Sequence, residues 1–331
     1  MRRMTLLEVA RRARVSTATV SRVLNSPASV KGTTRARVLK IVQELKYSPN
    51  LHARSLAGAR SRSIGVIVSN IENPFFLYVY KTVEAGAHGA GYEVIMANTG
   101  YDPERLVTSI RLMLGRRPAG LAAIVSEMDA TLIQELSGQR IPVVFYDVGT
   151  PKRNITNIRV DYRGGMDKLT AYLYSLGHRR IGYVGHHATL APIRERVQAV
   201  RDAAARYAGL DVEMAAEADS LEGGRQAARA LLARSPRLTA LICVNDVMAV
   251  GALRELRARG RRVPEDVSVT GFDNVTLAQF SVPALTTVHI PRDQIGRTIC
   301  ECLMRDDVLR EREFLIEPEL VVRESTGPAP R

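Results

Sequence analysis

Long apolar runs are missing from this chain of 331 residues. No stretch of about 18 apolar residues occurs, which excludes a transmembrane helix. The opening MRRMTLLEVARRARVS starts with two arginines, but Glu8, Arg11 and Arg12 interrupt its apolar residues. It does not read as a signal peptide, so export is not expected and a cytoplasmic, nucleoid-associated protein is. Cysteine is scarce: Cys243, Cys300 and Cys302 are the whole set. An odd, sparse count fits a reducing compartment rather than a disulfide framework. Cys300 and Cys302 have no partnering Cys or His nearby, so no zinc site is expected, and Cys243, inside LTALICVN, reads as core. There is no G-x-x-x-x-G-K-[ST], no G-x-G-x-x-G opening a helix and no G-x-S-x-G, which disfavours nucleotide, dinucleotide and hydrolase chemistry. The two glycines of GYVGHH are wrongly spaced for a dinucleotide. His186 and His187, adjacent and so facing opposite sides of any strand, read as loop polars rather than metal ligands. No enzyme, metal or cofactor is expected. No short-period repeat occurs, which excludes a solenoid.

Acidic residues are also missing from one end. Residues 1–60 hold thirteen Lys or Arg against Glu8 and Glu44, a net of +11, while the remaining residues carry only +2 of the total +13. A compact basic segment on a near-neutral body is an electrostatic footprint for a polyanion. With 46% hydrophobic residues, the rest is long enough to bury sizeable cores in two or three domains.

The basic segment reads as three short helices. Thr5-Leu6-Leu7-Glu8 has capping-box form and starts a helix with Leu6, Val9, Ala10 and Ala13 on one face. Val15 turns the chain, and Ser16 caps a second helix, STATVSRVLN, that buries Val20, Val23 and Leu24. Its other face carries only Thr17, Ala18, Ser21 and Arg22, where Lys and Glu would suit solvent better. A third helix follows Gly32–Thr34, with Val38, Ile41, Val42 and Leu45 at helical spacing. The first two helices form a helix-turn-helix, whose second helix enters a DNA major groove. Small side chains permit close approach there: hydroxyls reach phosphates or bases, Ala18 a thymine methyl, and Arg22 a guanine edge or a phosphate.

In YSPNLHARSLAGARSRS, Pro49 stops the third helix, Asn50 can cap a new one over Leu51–Ala57, and Gly58 can end it. So short a helix is marginal alone and orders only against a partner. Leu56 in this basic linker suits a minor-groove wedge.

Beyond residue 62, apolar runs alternate with helical stretches. Strands are expected at Ile64–Ser69, Val94–Ala97, Leu121–Ser126, Val143–Asp147, Ile181–Gly185, Leu241–Val244, Val267–Thr270 and Thr287–Ile290. The pattern predicts an α/β body of two doubly wound parallel halves behind a small all-α head. In such sheets ligands bind at the carboxyl ends of strands, and Asn70, Asp147, Asn245-Asp246 and Asp273 stand at those ends. Each could instead cap the helix that follows. Arg194 and Arg196 in IRERV can bond ligand oxygens, one of them being expected to face solvent, and NPFF offers Phe75 and Phe76 to a ligand ring or to the core.

TLLEVARRARVSTATVSRVLN, YSPN and ARSLAG, in that order and spacing, resemble the head of the lac/galactose repressor (LacI/GalR) family of bacterial transcription regulators. NPFF, FYDV, RERV, VNDVMAVGAL, DVSVTGFDN and PALTTV extend the resemblance over the body, whose fold it implies to be of periplasmic-binding-protein type. It implies a head over 1–48, a hinge helix and linker over 49–61, and a core over 62–331. The core would divide into an N-terminal lobe (62–160 plus 291–318) and a C-terminal lobe (161–290 plus 319–327). DNA contacts are implied at Thr5, Ser16, Thr17, Ala18, Ser21, Arg22, Asn25, Asn50, Ala53 and Leu56, and effector contacts at Phe75 or Phe76, Asp147, Arg196, Asn245 and Asp273. Two departures stand out. Ala199-Val200 replace the family's Gly and aromatic, and Asp219 stands where an aromatic often packs on the effector; with no Trp in the chain, that side lacks a sugar-stacking platform.

The expectation is a homodimeric repressor on a pseudopalindromic operator, controlled by a sugar or another polar or cationic metabolite. The competing class is a small-molecule binding protein without DNA function, which would need no +11 head. The tail ESTGPAPR has no heptads, so no tetramerising coiled coil is expected.

Overall fold

The computed structural model describes residues 4–25, 27–47, 61–128, 130–148, 154–186, 190–304 and 312–330, with backbone alone at Asn25 and Ala130. The chain divides into two units, residues 1–61 and 62–331. The expected hinge helix, with Asn50, Ala53 and Leu56, lies outside the described residues, as does His187.

The first unit holds α1 (Leu6–Ala13), α2 (Thr17–Asn25) and α3 (Gly32–Glu44), with a short 3-10 turn at Pro27–Ser29. Thr5 and Glu8 form a reciprocal cap: Glu8 N–H donates to Thr5 Oγ1 (3.3 Å) and Thr5 N–H to Glu8 Oε2 (2.8 Å). Arg14, at φ 52°, ends α1 in the left-handed conformation, and Ser16 Oγ accepts from Thr19 N–H (3.1 Å) to start α2. Val9, Ala10, Ala13, Val20, Val23 and Val38 make one small core. Fixing three helices around six small side chains leaves a modest hydrophobic gain, so the caps count for more here than in a large domain.

The second unit opens with β1 (Ser63–Val68), β2 (Glu93–Asn98), β3 (Gly120–Ile124), β4 (Val143–Tyr146) and β5 (Ile155–Val160). With a late strand, β11 (Arg312–Ile316), they form a parallel sheet of order β11-β5-β4-β3-β1-β2. Helices α4 (Pro74–Gly89), α5 (Pro103–Gly115), α6 (Ala130–Ser137) and α12 (Arg292–Met304) belong to this lobe. Its central strands are buried on both faces, as near-continuous apolar runs require.

The other lobe has a second parallel sheet, of order β7-β6-β8-β9, from β6 (Arg180–His186), β7 (Asp211–Glu217), β8 (Ala240–Cys243) and β9 (Ser268–Thr270). Helices α7 (Tyr162–Ser175), α8 (Ala191–Arg206), α9 (Leu221–Arg234), α10 (Asp246–Ala258) and α11 (Thr276–Phe280) complete it, with an antiparallel pair, β10 (Thr287–His289) and β12 (Glu319–Val321). Helices α9 and α10 lie almost backbone to backbone. A Cβ on Gly224 would come within 2.1 Å of Met248 O, and one on Gly251 within 2.0 Å of Leu221 O. That approach fixes the N-termini of both helices against each other.

All three cysteines are buried and unbridged. Among the described residues no helix is long and apolar enough to cross a membrane. The sequence reading left out β5, β7, β11 and β12 as strands.

Candidate nucleic-acid surface and effector cleft

On the head, Ser16, Thr17, Ala18 and Arg22 are exposed and Ser21 is half-buried, along one side of α2. Val20 and Val23 point the other way, into the core. This side is smooth: apart from Arg22 no side chain on it is longer than threonine, so a groove edge can approach the helix closely. Thr5 and Ser16 spend their hydroxyls on helix starts and so fix the exposed first turns of α1 and α2. Asn25 contributes only its backbone to the described residues.

In the core, a cavity of about 680 Å³ lies between residues of the two lobes. One lobe supplies Tyr101, Ser126, Glu127 and Asp147; the other supplies His186, Arg194, Glu217 and Asp219. It leads into a narrow inner space of about 40 Å³ lined by Phe75, Phe76, Tyr146, Tyr162, Arg196, Asn245 and Asp273. Tyr101, Ser126, His186 and Asp219 border both. Phe75, Phe76, Asp147, Arg196, Asn245 and Asp273, the effector contacts implied by the resemblance, all border this one space. The contributing loops follow strands β2, β3, β4, β6, β7, β8 and β9, the carboxyl-end geometry of open α/β sheets.

Asp219 sits at the centre. Its Oδ1 accepts from Asn245 Nδ2 (2.6 Å) on its own lobe. Its Oδ2 accepts from Tyr101 OH (2.8 Å) and Asn70 Nδ2 (3.3 Å) on the opposite lobe. One carboxylate thus ties the two lobes through hydrogen bonds to an anion, roughly twice as strong as neutral ones. Asn245 serves both ends of the argument made from sequence: its Oδ1 accepts from Met248 N–H (2.9 Å), capping α10, while its amide faces the cleft.

Arg196 is 6% exposed. Its guanidinium lies 4.1 Å from the ring centroid of Tyr162 and 4.6 Å from that of Phe272, and Nη1 donates to Val244 O (3.0 Å). Its Nε finds no acceptor among the described residues. Arg194, two residues earlier in the helix, is exposed at the outer rim.

Asp147 accepts from Val160 N–H (2.7 Å) and Tyr162 OH (2.5 Å), and Tyr162 OH lies 3.0 Å from Tyr146 OH. Burial pushes its carboxyl up to about 7, against the pull of those two bonds and of Arg196. Asp273 is also raised to about 7 by burial, with Arg196 pulling it down and Asp219 pushing it up. Both have positive φ, 57° at Asp147 and 100° at Asp273, which are strained positions for residues with a Cβ. Two acids that titrate near neutrality, one in each lobe, can hold a neutral or a protonated ligand group according to pH.

Asp246, which shares a strand end with Asn245, proves structural. It is fully buried and bonds Thr287 Oγ1 (2.6 Å) and Val275 N–H (2.7 Å). His186 corrects the reading of the histidine pair. It is not a loop residue but the last residue of β6, buried, in register with Glu217, with its ring 5.6 Å from that of Tyr101.

Sequence reasoning missed Tyr101, Glu127, Tyr162 and His186. Tyr101 stands in a turn after β2 at φ 63°, following Gly100 at φ 66°; the NTGYD segment after an apolar run was the available signal. Glu127 is held by Ser69 Oγ (2.6 Å), Thr99 Oγ1 and Ser126 N–H (3.0 Å). Those bonds join three strand ends that lie far apart in sequence, so no local pattern reveals them.

Comparison with known proteins adds the following. The family described as bacterial regulatory proteins, lacI family, matches residues 5–50, and a periplasmic binding protein-like domain matches residues 170–326. The chain is 35% identical over 328 residues to the HTH-type transcriptional repressor PurR of Photobacterium profundum, covering 97% of this chain and 98% of that one. It is 31% identical over 334 residues to the HTH-type transcriptional regulator DegA of Bacillus subtilis, covering 98% of each. Its structure is similar to that of the lac repressor dimer bound to operator and the anti-inducer ONPF, with TM-score 0.85 and 27% identity over 98% of this chain and 100% of that one. It is also similar to a transcriptional regulator CelR-cellobiose complex, with TM-score 0.68 and 30% identity over 98% and 100% of the two chains.

Proposed function

The chain belongs to the lacI family of bacterial regulatory proteins, and from that premise we propose that a small polar effector, held between the two core lobes, sets its affinity for an operator. It is a DNA-binding transcriptional repressor of that family, with a head that reads DNA and a core that binds an effector; a dimer is the arrangement in its lac repressor neighbour. The matched relatives are transcription regulators rather than enzymes.

The observation that carries the effector reading is Asp219. It bonds Tyr101 and Asn70 across the cleft while Asn245 holds it from behind. A ligand entering the cavity competes for those donors or offers its own to the same carboxylate. Either way it changes how strongly the lobes are tied, and operator affinity changes by the ligand's differential affinity for the two arrangements and no more.

The lining narrows the effector's chemistry. Glu127, Asp147, Glu217 and Asp219 border the outer cavity, with Arg194 at the rim and Arg196 at the inner end. Acceptor-rich walls suit a ligand rich in hydrogen-bond donors, a polyhydroxylated compound or an amine. Neighbours in complex with cellobiose and ribose fit the first of these. The Phe75, Phe76, Tyr146 and Tyr162 rings give the inner end an apolar body against which a flat or ring-shaped ligand packs.

On the head, Thr17, Ala18, Ser21 and Arg22 read one half-site, and Leu56, implied by resemblance, wedges the centre of a pseudopalindrome. Selection of bound fragments from a random DNA pool by the full-length protein tests this. Enrichment of a palindrome, lost in R22A, is expected; salt-sensitive binding with no enriched motif would contradict it. The selected fragment then serves to screen sugars and amines for an effect on affinity that R196A abolishes.

A further inference from the structure

The C-terminal lobe has a second pocket at the end of its sheet opposite the cleft. Three turns build it, each leading from a helix into the amino end of a strand: α7 into β6, α9 into β8, and α10 toward β9. The pocket has a volume of about 470 Å³, and the C-terminal residues Ala329 and Pro330 form one wall. Arg179, Arg180, Arg237 and Arg261 line it.

Two of these arginines are pinned by the protein. Arg179 lies over the ring of Tyr174, 3.6 Å from its centroid, and Nη1 donates to Tyr174 O (2.9 Å) and His178 O (3.0 Å). Arg261 Nη2 donates to Pro236 O (2.6 Å). Each guanidinium has five N–H donors, so both keep donors for a ligand. Arg180 and Arg237 are exposed, and their guanidiniums make no hydrogen bond or ion pair among the described residues. Among the described lining residues Asp266 is the only carboxylate, and Arg262 already occupies both of its oxygens (2.7 and 3.1 Å).

Arginines commonly follow helix C-termini, where they offset the dipole. That accounts for Arg179, which bonds Tyr174 O in the last turn of α7, while Arg261 bonds Pro236 O in the neighbouring turn. It does not account for Arg180 and Arg237, which come from two different turns and border the same hollow without a partner. Four guanidiniums around one concavity favour an anion with several charges, since guanidinium matches phosphate oxygens in pairs. The volume is that of a drug-sized ligand rather than a lone ion, and Leu238, Pro236 and Pro330 supply an apolar wall beside the charges. We propose that this pocket binds a nucleotide-sized molecule bearing two or more phosphates, at a site separate from the effector cleft.

The chain has no tryptophan, so Pro330→Trp in the full-length protein places a single fluorophore at the pocket rim. Titration with ATP and with inorganic pyrophosphate, at constant ionic strength, is expected to give saturable fluorescence changes. ATP should bind more tightly than pyrophosphate, because it also uses the apolar wall. Adding R180Q and R237Q should weaken both by tenfold or more, and circular dichroism and operator binding should stay unchanged because both side chains are exposed. No saturable change with either probe, or unchanged affinity in the double variant, would overturn the proposal. A titration by equilibrium dialysis in the chain with Pro330 intact guards against an effect of the tryptophan itself, and absence of binding there would also overturn it.

Discussion

On the head, the side chains proposed to face DNA stand outside. Ser16, Thr17, Ala18 and Arg22 are exposed on a scaffold closed by Val9, Val20, Val23 and Val38. In the core the corresponding side chains are inside: Arg196, Asn245 and Asp273 are between 4% and 6% exposed, and protein groups already engage each of them. The head can lose one contact without disturbing its fold, because its reading surface and its core are different residues. In the cleft, the residues proposed to bind the effector also hold the fold, so a ligand or a substitution there is expected to change how the lobes are held. A sensor needs that coupling, and a reader is better without it.

Arg196→Ala should have the largest effect. It removes a buried guanidinium from between two rings and leaves Val244 O and the nearby acids without it. Loss of roughly 3 kcal/mol of core stability is expected, in line with removing one member of a buried charged set, together with the effector response. Denaturant unfolding and operator titration measure the two. Arg196→Lys should not restore the response, since an ammonium cannot stack as a planar fork does.

Arg22→Ala should behave in the opposite way. Operator affinity should fall by about 1–3 kcal/mol, with no change in the unfolding of either unit and an intact effector response. Asp219→Ala lies between the two. Losing hydrogen bonds to a charged group is expected to alter lobe coupling by roughly 1.5–3 kcal/mol, read as faster amide exchange at the Asn70 and Tyr101 loops. Thr5→Ala should cost the head about 1 kcal/mol through its lost cap and leave the core melting unchanged.

The cleft acids give a pH signature that the head lacks. Asp147 and Asp273 are raised to about 7 from an ordinary 3.8. Between about pH 4 and 7 the folded core holds protons that the unfolded chain releases, so their contribution makes stability fall as pH rises through that window. Asp147→Asn and Asp273→Asn should each flatten the fall, as thermal melts from pH 5 to 8 would register.

The same contrast decides what the sequence revealed. The head was legible because its charge, caps and 3.6-residue periodicity are local properties. The body was legible where strands are buried on both faces, such as SIGVIV and VVFY. β7 and β11 are edge strands whose sequences, DVEMAAE and REFLI, mix exposed and half-buried positions, so no apolar run marks them. β5 is internal, but Thr156 and Asn157 interrupt its apolar residues. In the cleft, Asp147, Arg196, Asn245 and Asp273 were visible as polar residues at strand ends or in a motif. Tyr101 and Glu127 were not, because the side chains that hold them lie 28 to 118 residues away. Asp219 stood out only as a departure from the family pattern, and its place as a bridge came from the fold.

The cleft, through Asp219, is proposed to govern how the protein holds DNA. The most direct test is operator affinity of the full-length protein and of D219A, measured with and without an effector from the screen. D219A is expected to change the effector's influence on operator affinity by tenfold or more, while affinity in R22A falls with the effector's influence intact. An effector response in D219A equal to that of the parent protein would contradict it.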